Sequence, residues 1–149
     1  MELLKANLDL GVIAVLGFMS FLMITFVIER YLYLGRVDLA TFEHPDDLDI
    51  ALTRHLTVIA SVGANAPYVG LLGTVLGILI TFYDMGQAGS IDTATIMVGL
   101  ALALKATALG LVVAIPSIVF YNALLRRVDV LKGRWRSQRD RAGDRGARP

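Results

Sequence analysis

Thr74, Thr107 and Lys105 stand inside runs of Leu, Ile, Val, Ala and Gly, where most polar side chains would be out of place. A hydroxyl in such surroundings can hold water or pass on a hydrogen bond; it can also simply bond its own backbone carbonyl four residues back. An ammonium is costlier. Deep in an apolar span it costs at least about 2.5–3.5 kcal/mol on insertion scales and normally faces protein or water. Lys105 is the only charge between Ala94 and Leu125. Either it meets a carboxylate or a water-filled cavity, or it snorkels or sits there uncharged.

Depth along a helix sharpens this. At 1.5 Å per residue, Thr74 lies about 15 Å in from Asp84, and Thr107 and Lys105 lie about 21 and 18 Å in from Thr93. Asp84 and Asp92 fall at or beyond one boundary and Glu29 at the end of the first apolar segment, so the sequence puts no carboxylate deep in any of them. Threonine does not carry a charge. If protons cross here, the titrating acid is expected from another chain.

Other chemistry is thinly supported. With no cysteine, disulfides and thiolate metal sites are excluded. His44 and His55 have no ligand cluster nearby and read as ordinary surface residues. There is no nucleophile–base pair, phosphate loop or metal cluster, so no enzyme activity, metal, cofactor or nucleic-acid partner is expected.

The elements that carry these residues are membrane spans. The chain is 149 residues long and 56% apolar, well above a soluble domain. Three segments meet or approach the ~20 residues that cross a bilayer: Leu10–Ile28, Ala64–Tyr83 and Ala94–Leu125. The first is longer than a signal-peptide core, lacks a small-x-small cleavage site and reads as an uncleaved span. The loop Glu29–Arg54 carries three arginines, the loop Asp84–Thr93 has no Lys or Arg, and the tail after Leu125 is crowded with arginine. The positive-inside rule puts residues 29–63 and the basic tail 126–149 in the cytoplasm, and the N-terminus and residues 84–93 outside. The expected fold is an all-α membrane protein with three transmembrane helices, the second and third extending into the cytoplasm.

Small residues shape two of these helices. Gly70, Gly73, Thr74, Gly77, Thr81 and Asp84 recur at steps of three or four, as do Ala103, Thr107, Gly110, Ala114, Ser117 and Tyr121. Glycines weaken a helix in water by about 0.5–1 kcal/mol each, but in lipid small residues let a second helix come close. From spacing alone the two faces either pack together or line a shared polar path. A helix is expected from Pro45 toward the second span, with an apolar stripe of Leu48, Leu52, Leu56 and Ile59, bending where Pro67 removes a donor. Beyond Ser137 the composition reads as disorder. Trp135 is expected at the lipid interface, where the Arg-rich tail either meets anionic headgroups or serves only as a topology signal.

The stretches Ala66-Pro67…Gly70-Leu71-Leu72-Gly73-Thr74-Val75…Gly77 and Ala106-Thr107-Ala108-Leu109-Gly110-Leu111-Val112-Val113-Ala114-Ile115-Pro116…Tyr121-Asn122 resemble the ExbB/TolQ/MotA family. That resemblance implies a proton channel subunit of the bacterial inner membrane, typically a pentamer. An ExbD-like subunit would supply a membrane aspartate, and a TonB-like protein would carry the work to receptors for siderophores or cobalamin. It also implies that Thr74 and Thr107 are pore-facing and that Pro67 and Pro116 are the family's motif prolines. Where many relatives have a glutamate on the third helix, this chain has Leu102, with Lys105 nearby to pair with the partner's aspartate. The alternatives are a TolQ-like role in envelope maintenance and a passive scaffold.

Overall fold

The computed structural model describes residues 2–88 and 92–146; residues 89–91 of the expected outer loop and 147–149 of the tail lie outside the described residues. Within them the chain is helical, with no strand. α1 spans Glu2–Arg36, α2 Pro45–Thr53, α3 Leu56–Ala88 and α4 Thr93–Gly146. α1, α3 and α4 are each long and apolar enough to cross a membrane. Every one of them outruns the apolar segment that marked it. α4, at 54 residues, is about 80 Å long.

α1, α3 and α4 share one bundle, in which α3 and α4 form the closest pair and α1 lies against both. Its two ends obey different rules. At the end that carries α2, the chain builds a water-soluble type of core. Leu48, Leu52, Leu56 and Ile59 are all buried there, against Met23 and Leu34 of α1 and Leu124, Val128 and Trp135 of α4. Toward the other end the outer faces are apolar and open: Phe18, Phe21, Leu79, Phe82, Val112 and Ile115 are more than half exposed. Apolar surface on that scale is a lipid or subunit contact.

Three local expectations are corrected. The helix begun at Pro45 does not run on into the second span. It stops at Arg54–His55, where His55 has φ 63°. The leucine spacing continues through the break, so periodicity conceals it. A non-glycine residue seldom adopts that backbone conformation, and here tertiary contacts hold it: the His55 ring packs 4.7 Å from Phe26, and its Nδ1 lies 3.4 Å from Glu29 Oε2. His55 is therefore not an ordinary surface residue.

Second, Trp135 is not at a lipid interface. It is buried in the α2-end core, and its indole N–H donates to the Phe42 carbonyl at 3.1 Å. Third, the tail is helical to Gly146 rather than disordered. Arg139 donates to the same Phe42 carbonyl at 2.8 Å and lies over the Trp135 ring, so the helix is fastened well past Ser137. Arginine is itself a good helix former. Pro67 and Pro116 lie inside helices that run through them, each withholding one backbone donor from the ladder.

α4 starts on a side-chain cap. The Asp92 carboxylate accepts from the Ala94 and Thr95 backbone N–H groups and from the Thr95 hydroxyl. The Thr95 hydroxyl first, then the two N–H groups, hold its pKa below the ordinary value. A lowered folded-state pKa contributes stability above the unfolded pKa and loses it as pH falls through the folded one. Amide-exchange protection at Thr93–Ile96, taken relative to the intrinsic rate at each pH, should accordingly fall below about pH 4, and Asp92→Asn should flatten that dependence.

Candidate functional site

The seam between α3 and α4 is made of small residues, and its closeness is visible at the glycines. A Cβ placed on Gly70 would lie 2.6 Å from the Ala106 carbonyl oxygen and 3.0 Å from the Thr107 Cα. One on Gly110 would lie 2.6 Å from the Ala66 carbonyl oxygen. Gly77 meets Ala103, and Gly99 meets Thr81. These pairs progress up one helix and down the other, as antiparallel neighbours must. Within one chain the two faces pack, which answers the choice left open by spacing for the contact between α3 and α4. Gly99 and Ala106 belong to this seam and were missed: Gly99 continues the stripe four residues before Ala103, where it was taken to begin, and Ala106 falls one position before Thr107.

Thr74 and Thr107 come together at the closest part of the seam. Their hydroxyl oxygens are 2.5 Å apart. Thr74 is 7% exposed, and its hydroxyl also lies 3.3 Å from the Gly70 carbonyl and 3.0 Å from that of Ala103. A hydroxyl has one proton to give. All the groups are used if Thr107 donates to Thr74 and Thr74 donates across the seam to Ala103. The single Thr74 proton then goes across the seam to Ala103 in place of the longer local bond to Gly70. Thr81 and Ser117, in contrast, bond only their own helix, to Gly77 and Val113. Thr107 keeps one side half exposed.

Lys105 is not part of this pair. Two residues from Thr107 on a helix is about 200° around it, and Lys105 faces a small cleft beside α1, lined also by Asp9. The middle glycine of the motif, Gly73, looks the same way: its Cβ would meet Ala106 and Val12 of α1. Asp9 stands on α1, which is helical from Glu2, one residue ahead of the apolar segment Leu10–Ile28.

The α2 end has its own charged cluster. Arg30, 2% exposed, donates to the Ala51 carbonyl at 3.0 Å, pairs with Glu29 and stacks on Tyr33. Lys132 of α4 pairs with Asp49 of α2, and Arg127 lies over Tyr31.

Residues 39–137 match the model of the MotA/TolQ/ExbB proton channel family. The chain belongs to that family. It is 56% identical over 136 residues to the biopolymer transport protein ExbB of Helicobacter pylori, covering 91% of this chain and 94% of that one. It is 55% identical over 128 residues to ExbB of Aquifex aeolicus, 86% of each chain. A shorter match, 43% over 84 residues, reaches the Tol-Pal system protein TolQ of Pseudomonas aeruginosa, 56% of this chain and 36% of that one. As a family member it is a multi-pass protein of the bacterial inner membrane.

The seam geometry separates its glycines. Gly70→Ala should force α3 and α4 apart and lower stability by about 1–3 kcal/mol, because its new Cβ meets backbone. Gly86→Ala, which meets nothing within 4 Å, should raise it by about 0.5–1 kcal/mol. Thermal unfolding of the two solubilised variants checks the opposite signs.

Proposed function

We propose that the chain is the channel-forming subunit of a TonB–ExbB–ExbD-type complex, which couples the proton motive force to nutrient import through the outer membrane. The observation that carries this is the Thr74–Thr107 pair held inside the seam of a chain that aligns nearly end to end with ExbB proteins. The chain itself does no covalent chemistry. Each charge that crosses 100 mV releases about 2.3 kcal/mol, and the complex converts this to conformational work.

The threonines supply hydrogen-bonding groups in the proton path but no titrating group. An ExbD-like subunit brings the aspartate, several copies of this chain, five in the typical family arrangement, surround it, and a TonB-like protein takes up the work. The α2 end faces the cytoplasm. Arg30, Arg36, Arg126, Arg127 and the arginines of distal α4 gather at that end, as the positive-inside rule requires. Siderophores and cobalamin are the cargo class; the choice among them belongs to the outer-membrane receptor.

The match to TolQ supports a second reading, in which the same machine maintains the cell envelope. A clean deletion complemented in trans separates the two. Loss of growth on chelated iron with an intact envelope is the expected result; detergent sensitivity with normal iron uptake would assign the TolQ role. In the complemented strain, Thr74→Val and Thr107→Val should each abolish most iron-limited growth at unchanged protein level. Wild-type growth of both variants would reduce the seam to a scaffold.

A further inference from the structure

Lys105 has a counter-charge available within its own chain. On α1, Asp9, Val12 and Ile13 fall at i, i+3 and i+4, one helix face. On α4, Leu102, Lys105, Ala106 and Leu109 do the same. These seven side chains line one cleft of about 30 Å³, room for about one water molecule. Asp9 and Lys105 are the only charged residues in that lining, and they are opposite in sign. The rest is apolar.

The two charges differ in what lies around them. Asp9 also lines a wider cavity of about 570 Å³ toward the α3–α4 turn, shared with Thr81 and Thr95. Lys105 lies on the far side of Asp9 from that opening, among Val12, Ile13 and Leu109. Both side chains are exposed in the single chain, on a face that is otherwise apolar. The neighbouring contact of Val12 on Gly73 fixes how far α1 stands from the seam.

We propose that Asp9 and Lys105 form a water-bridged ion pair inside the membrane, tying α1 to α4. Lys105 then has a role distinct from the Thr74–Thr107 pair and needs no acid from another subunit. The pair holds whichever load the complex drives, so it stands or falls separately from the functional reading above. A lone charge on an apolar membrane face is costly, so removing one partner strands the other, whereas removing both removes that cost along with the attraction.

The test is a double-mutant cycle on the full-length chain, purified in detergent and unfolded by graded SDS. Asp9→Asn and Lys105→Met should each lower the folding equilibrium constant, and the double variant should recover most of the loss, with a coupling of about tenfold. Additive losses, or an Asp9→Asn variant indistinguishable from wild type, would overturn the proposal. If a single variant does not accumulate, membranes carrying Asp9→Cys/Lys105→Cys serve instead, since the chain has no other cysteine. A short bis-maleimide should join the two sites within one chain, read by mass spectrometry of the peptides. Cross-links only between chains, or none, would again overturn it.

Discussion

The near-contact of two helix backbones at Gly70 and Gly110 sets the terms for everything else in the membrane part of this protein. In lipid there is no hydrophobic drive to bring helices together, because tails are as apolar as leucine. What remains is dispersion, which needs close approach, and hydrogen bonding across the gap. Glycine provides the first by having no side chain to keep backbones apart. Close approach then makes the second possible, since a threonine hydroxyl is short and reaches a facing carbonyl only when the helices nearly touch. The bonds from Thr74 to Thr107 and Ala103 are consequences of the glycines beside them.

The same requirement explains why the bundle is asymmetric. α1 is set against the α3–α4 pair on the side where Gly73 admits Val12, and it supplies mostly large apolar side chains that remain open to the outside. At the α2 end, where water is available, the chain reverts to the rules of a soluble protein. A short helix closes a leucine-rich core, charged groups pair, and a buried tryptophan and an arginine share one carbonyl of the connecting loop. Rigid packing at that end and hydroxyl-mediated contact in the seam are joined by the continuous helices α3 and α4. Such mechanical continuity suits a member of a proton-driven channel family.

Much of this was legible in the residues. Apolar run length identifies three spans because bilayer thickness is a fixed ruler, and small residues at helical spacing identify the packing faces. Leu48, Leu52, Leu56 and Ile59 announced a buried stripe correctly. His55 did not announce a turn, since the stripe's period passes through it undisturbed and the strained backbone is held by Phe26 and Glu29 from another helix. Trp135 and the distal tail were misread for a related reason. Composition describes a segment as it would be alone, and both are ordered by a loop carbonyl more than ninety residues earlier in the chain.

The sequence by itself determined the class of protein, its spans, the glycine and threonine motifs and, through them, its family, because lipid imposes length and polarity rules that act residue by residue. Only the tertiary structure decided which small residues touch, that Thr74 meets Thr107 while Lys105 turns to α1, and that Asp9 shares a cleft with Lys105. Those facts depend on how far each helix extends and on its rotation about its own axis. Neither is a local property: both are set by the neighbours against which each helix comes to rest.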